Sequence, residues 1–162
     1  MRSYEAGRDV PPETVAKLLH AATRAPSAGN CQPWHFYVVR NQTAKKALAQ
    51  AAWGQRFLSE APVVIVVCAD PGRSARRYGE RGTDLYCLQD TAAATENLLL
   101  AAVSVGLGAC WVGAFDEQAA SEALQLPSRL RPVALVPLGY PAERSIDASD
   151  RLPLDAVVQT ID

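Results

Sequence analysis

No apolar run in the 162 residues approaches the roughly 20 that a membrane-spanning helix needs; the longest, 61–69 (APVVIVVCA), reaches about half that length. No membrane partner is expected. The amino terminus MRSYEAGRDVPP carries no apolar segment followed by a small-residue cleavage site, so the reading is a cytoplasmic protein without a signal peptide. Charge of one sign is missing as well: sixteen Lys and Arg face seventeen Asp and Glu, a formal net charge of -1. That balance excludes a nucleic-acid partner held by net electrostatics. Cysteines are few and scattered (Cys31, Cys68, Cys87, Cys110), without a CxxC pair and with only His20 and His35 to supplement them. Neither a metal site nor a disulfide framework is expected. Also absent are the GxSxG elbow, the Walker A sequence and HExxH. GLGACWVG at 106–113 lacks the third glycine of GxGxxG and follows a helical pattern rather than a strand, which argues against a Rossmann nicotinamide site.

What is present is a globular composition, 49% hydrophobic and 20% charged, at a length suited to one domain spanning 1–162. Pro11 and Pro12 suit a helix entrance, and Val15, Leu18, Leu19 and Ala22 fall on one helical face before Pro26 ends the element. Residues 35–40 (HFYVVR) and 62–68 (PVVIVVC) read as strands, the second buried on both faces. A short strand at 109–112, a helix from Asp116 as N-cap to about Gln125, and a strand at 132–138 follow, ahead of a polar segment at 141–153. The pattern predicts an α+β fold: a central mixed β-sheet of about four strands flanked by helices.

Between Asp84 and Val105 there is neither Gly nor Pro, and the larger polar groups (Gln89, Asp90, Glu96, Asn97, Ser104) form one narrow stripe. Such a helix needs burial nearly all round, which a chain of this size achieves most simply at the centre of a homodimer, the alternative being a core wholly within the chain. The arginine-rich stretch 73–81 (RSARRYGER) reads as a solvated loop or helix face in preference to an anion-binding patch.

The most informative segment is 24–36, RAPSAGNCQPWHF, where Ser27, Asn30 and Gln32 surround Trp34 between a helix and a strand. A loop of this kind can hydrogen-bond a polar planar or phosphorylated ligand. The same residues would serve as a plain helix-ending turn whose Trp fills core, and residue chemistry alone favours that plainer account. Cys31 and His35 stand four apart, but the strand pattern from His35 breaks the helical spacing that a nucleophile and its base would need.

PSAGNCQPW followed by HFYVV resembles the PSxxNxQPW loop of the FMN-dependent nitroreductase family. Residues 55–70 (QRFLSEAPVVIVVCAD), 84–116, GYP at 139–141 and RLP at 151–153 are similar to further blocks of that family in the same order. The resemblance implies an intertwined homodimer with FMN bound at the subunit interface. Carried over by position, Pro26, Ser27 and Asn30 of one subunit would contact the flavin, with Ser3, Gln55, Gly113, Ala114 and Arg151 of the other. Arg151 and the Ser3 hydroxyl suit the phosphate, and the small Gly113 and Ala114 let a backbone N–H approach the ring.

Some positions depart from the family pattern. Met1-Arg2-Ser3 stands where relatives have a helix leading into Arg-x-Ser, so Arg2 would substitute in part for the usual cation. Glu5 and Ser149 occupy positions where Lys or Arg is common. The activity implied is electron transfer from NADH or NADPH through FMN to a small planar acceptor such as a nitroaromatic or quinone. Ping-pong kinetics would follow, with no obligatory catalytic side chain. The alternatives are another chemistry on the same fold (reductive dehalogenation, flavin fragmentation, azoline oxidation) and a dimeric flavin-binding module without turnover.

Overall fold

The computed structural model describes residues 1–142 and 150–161. Helix α1 spans Pro12–Ala22, with Pro12 at the first position, where a missing N–H costs nothing. It ends four residues before Pro26: Thr23 takes the C-cap, and its hydroxyl donates to the His20 carbonyl at 2.9 Å. Strand β1 (Trp34–Val39) leads to α2 (Gln42–Ala51) and the short α3 (Phe57–Glu60). Strand β2 (Val63–Ala69) precedes α4 (Pro71–Arg81), a π-helical turn at Gly82–Tyr86, and α5 (Cys87–Ser104). Strand β3 (Gly108–Ala109), α6 (Glu117–Leu124) and β4 (Arg131–Gly139) follow. As expected, α6 is capped by Asp116, whose carboxylate accepts from the Ala119 N–H at 3.0 Å.

The strands lie in the order β1-β2-β4-β3, and the class is α+β as the sequence implied. The sheet is not mixed, however: all three pairings are antiparallel. The connections return the chain against each neighbour: α2 and α3 bring β2 back along β1, and after α5, β3 and α6 the strand β4 begins with Arg131 beside Ala69 and runs against β2, with Gly108 of β3 paired to Gly139. The expected strand at 109–112 is correspondingly short, reduced to two residues and an isolated bridge between Val112 and Leu135.

Every residue of β2 is buried, and its period-2 alternation divides the core in two. Val63, Ile65 and Val67 face Leu18 of α1 and Leu98 of α5; Val64, Val66 and Cys68 face Leu48 of α2, Leu58 of α3 and Ala120 of α6. The sheet is therefore a middle layer between two helical layers.

Helix α5 is not buried all round within the protomer. It packs on the sheet and α1 by one face (Thr91, Ala94, Thr95, Leu98, Ala102) and leaves Leu100 60% and Val103 70% exposed on the other. Asp90, expected on the polar stripe, lies on the buried side. Among the described residues no helix is long and apolar enough to cross a membrane.

Candidate functional site

The loop after α1 is a one-turn 3-10 helix at Ala28–Asn30 with backbone that ordinary residues resist: Gly29, Asn30 and Gln32 have φ of 53°, 56° and 47°. Glycine adopts that conformation freely and asparagine tolerates it, whereas Gln32 is strained there. A Cβ at 29 would also displace the ends of the Tyr78 and Arg77 side chains that lie over it. Internal bonds hold the turn. The Ser27 hydroxyl accepts from the Gln32 N–H at 3.0 Å, the Ser27 carbonyl accepts from the Asn30 N–H at 2.9 Å, and the Gln32 amide donates to Asn30 Oδ1 at 3.1 Å.

Three bonds clasp the loop from outside. Arg77 donates to the Gly29 carbonyl at 3.0 Å, Arg73 to the Gln32 carbonyl at 2.8 Å, and the Ala28 N–H to Asp90 Oδ1 at 3.0 Å. The stretch 73–81 is thus more than a solvated face: α4 lies against the loop, and two of its arginines satisfy loop carbonyls. Trp34 fills core, as the plainer account of the segment had it, while Pro26 and Asn30 stay exposed and Ser27 half-buried. His35 sits in β1 with its ring 5.0 Å from that of Tyr37, so the segment forms no Cys31–His35 helical pair.

A second group of residues assembles where α2 turns into α3. The sequence reading contained neither helix, although Asn41, whose Oδ1 accepts from the Ala44 N–H at 3.0 Å, was a legible N-cap for α2. Trp53 and Gly54 leave α2 in the left-handed region with φ of 53° and 80°, which turns the chain back to present Gln55. The Gln55 amide donates to the Ala114 carbonyl at 3.4 Å. On either side the 112–116 segment is pinned: Val112 exchanges two backbone bonds with Leu135 at 3.0 and 2.9 Å, and the Asp116 N–H donates to the Ala51 carbonyl at 2.8 Å. Gly113 and Ala114 stand exposed between these anchors.

The amino-terminal residues run beside β4. Tyr4 bridges to Pro141, and its phenol donates to the Met1 and Pro137 carbonyls at 3.3 Å; burial pushes its pKa up. The Arg2 guanidinium lies 5.5 Å from the centre of the Phe57 ring, two residues beyond Gln55. The exposed Ser3 accepts the Ala142 N–H on its carbonyl at 3.2 Å. Arg151 is exposed and donates to the Asp150 carbonyl at 3.1 Å. Ser149 lies outside the described residues.

The structure therefore gathers Pro26, Ser27 and Asn30 on one loop, and brings Gln55, after α2, beside Ala114 and its neighbour Gly113, after β3, with Arg2 against Phe57 nearby. The donor set suits FMN: guanidinium groups for a phosphate, and hydroxyl, amide and backbone N–H groups for a polar planar ring. Gly113 supports that fit. A Cβ there would meet only the Trp111 indole, at 3.7 Å, so packing within the chain does not require glycine at this exposed position. A flat ring laid against the backbone would. Sequence reasoning missed Arg73 and Arg77 as loop clasps and Asp90 as a buried acceptor; an acidic residue in so apolar a helix was the available signal.

Comparison with known proteins identifies the family. A family model described as the nitroreductase family matches residues 1–56 and 50–140. An Archaeoglobus fulgidus protein provisionally described as an NADH dehydrogenase/NAD(P)H nitroreductase is 40% identical over 156 residues, 93% of this chain and 86% of its own. The FMN reductase [NAD(P)H] of Bacillus subtilis is 31% identical over 170 residues, covering 97% of this chain and 68% of its own. Among solved structures, a nitroreductase family protein from Streptococcus pneumoniae superposes with a TM-score of 0.87 at 30% identity, over 99% of this chain and 94% of that one. The matched loop, helices and sheet extend over nearly the whole sequence, and the chain belongs to the nitroreductase family.

Proposed function

We propose that this protein is an FMN-dependent oxidoreductase that passes electrons from NADH or NADPH to a small planar acceptor such as a nitroaromatic or quinone. The carrying observation is the exposed Gly113–Ala114 backbone beside Gln55, in a chain that matches the nitroreductase family model. FMN, when bound, supplies the redox chemistry. The protein's own residues bind and orient it: Pro26, Ser27 and Asn30 from one subunit, and Arg2, Ser3, Gln55, Gly113, Ala114 and Arg151 from the other. No side chain is assigned as a catalytic acid or base.

We infer a homodimer of whole 1–162 units, which would let each site draw on both subunits. Leu100 and Val103 on α5, and Leu152, Leu154, Val157, Val158 and Ile161 near the carboxyl end, are large apolar side chains exposed on the protomer. Large exposed apolar side chains in this number are the feature of a protomer whose apolar surface is covered on association. Its balanced charge supports a reading without a nucleic-acid or acidic-membrane partner, and a cytoplasmic location is part of the same proposal. The relatives at 40% and 31% identity favour the NAD(P)H-driven reading over the other chemistries and over a module without turnover.

The test is a visible spectrum of the purified protein followed by steady-state NADH and NADPH oxidation with menadione. Bound oxidised flavin and ping-pong turnover are expected. Failure to bind flavin after incubation with excess FMN overturns the assignment, and bound FMN without turnover makes the protein a flavin-binding module.

A further inference from the structure

Asp90 is 6% exposed, lies on the buried side of α5, and has one carboxylate oxygen engaged by the Ala28 N–H while the other, Oδ2, has no hydrogen-bond partner among the described residues. A half-satisfied buried carboxylate weakens a core; an apolar residue of similar size would serve stability as well or better. Burial pushes its pKa up, with the Ala28 N–H opposing. The one bond it makes crosses 62 residues of sequence to the turn between Ser27 and Asn30. We propose that Asp90 is a positioning residue for cofactor binding, its buried carboxylate holding the 27–30 loop in the conformation that receives the flavin.

The proposal rests on the reading of that loop as part of the FMN site. The Ala28 N–H belongs to the peptide joining Ser27 to Ala28, so the bond sets the orientation of the peptide that carries the Ser27 carbonyl, which in turn accepts from the Asn30 N–H. Asn30 and Gln32 sit at positive φ, a conformation that relaxes unless the surroundings hold it. Arg73 and Arg77 reach the same loop with long, exposed side chains, which hold weakly. Asp90 reaches it with a short side chain on an 18-residue helix, through a charge-assisted bond away from solvent. Preorganisation of this kind acts on affinity through the fraction of molecules whose loop is competent to bind.

The experiment measures FMN affinity and the melting temperature of the FMN-free protein for the wild type, Asp90→Ala, Asp90→Asn and Asn30→Ala. Removing the carboxylate is expected to weaken FMN binding roughly tenfold while leaving the FMN-free melting temperature unchanged or raised. Asp90→Asn keeps an oxygen that can accept from Ala28 and is expected to recover most of the affinity. If Asp90→Ala binds FMN like the wild type while Asn30→Ala binds it more weakly, the role of Asp90 is overturned and the loop's stands. If neither substitution changes affinity, the loop is not part of the site and the proposal falls with it. Parallel loss of melting temperature and affinity, without recovery in Asp90→Asn, makes Asp90 a fold residue and also overturns the proposal. A readout independent of folding in any variant is the Ala28 amide of the wild-type protein, expected to exchange with solvent at least about tenfold more slowly than in an unstructured peptide. Unprotected exchange there refutes the tether directly.

Discussion

Arg131 meets Glu117 side-on, its Nε and Nη2 donating to Oε2 and Oε1 at 2.8 Å each, and so ties the first residue of β4 to the first turn of α6. The geometry is bidentate, and the carboxylate also stands at the favourable end of the helix dipole. Both side chains are about half exposed, at 49% and 45%, so solvent screens the pair.

The paired bonds from Arg131 hold the Glu117 carboxyl below the usual glutamate range. A carboxylate whose pKa is lowered by folding stabilises fully above its unfolded pKa, and that contribution fades as pH falls through the folded value. Glu117→Gln should therefore cost about 0.5–1 kcal/mol near neutral pH, less at high salt, and almost nothing in strong acid. Urea unfolding of both proteins at neutral and acidic pH checks this; an equal deficit at both would remove the ion pair as its source.

Leu100 and Val103 project from the face of α5 that the protomer does not cover. An obligate dimer closing over them should bury more than about 2,000 Å² in total. Light scattering is expected to give twice the chain mass for the wild type. Leu100→Asp with Val103→Asp should shift the mass toward that of one chain and lower FMN affinity with it. A monomeric wild type carrying bound flavin would contradict the shared site.

Arg151 stands in the RLP segment, and we propose that it pairs with the flavin phosphate. Charge-assisted bonds to such an anion contribute roughly 1.5–3 kcal/mol, so Arg151→Ala should weaken FMN binding about tenfold to a hundredfold. Riboflavin, which lacks the phosphate, should lose far less on the same substitution. Equal losses for both ligands would place Arg151 in the fold or against the ring.

Burial pushes the Cys68 thiol up to about 12 and encloses it between the sheet and its helices, whereas Cys31 is only partly covered. The thiolate is the reactive species. A maleimide reagent at pH 8 should label Cys31 while leaving Cys68 intact until the protein unfolds, as peptide mapping would read out. Labelling of Cys68 at the rate of Cys31 in folded protein would mean that the central strand opens locally.

Much of the fold was legible because local patterns carry it. The face of α1, the all-apolar β2, the Asp116 cap and the β4 run are each written in a few consecutive residues, and PSAGNCQPW pointed to the family before any coordinate did. Helix α2 is signalled only by its cap Asn41, since an alanine- and lysine-rich stretch advertises no buried face until the sheet supplies one, and the four-residue α3 carries no side-chain cap at all.

What the tertiary structure alone decided are relationships between distant segments. Strand direction in the sheet followed from how the helices between the strands return the chain, with Arg131 starting β4 beside Ala69 and β3 paired at the edge. Whether that helix was covered all round depended on how much surface the rest of the protomer could place against it, and one face was left. Asp90 read as part of a polar stripe because helical periodicity assigns charge to solvent. Only the approach of the Ala28 N–H, 62 positions away in sequence, gives a buried carboxylate its partner. Periodicity records what a residue would prefer, and packing settles which preferences are met.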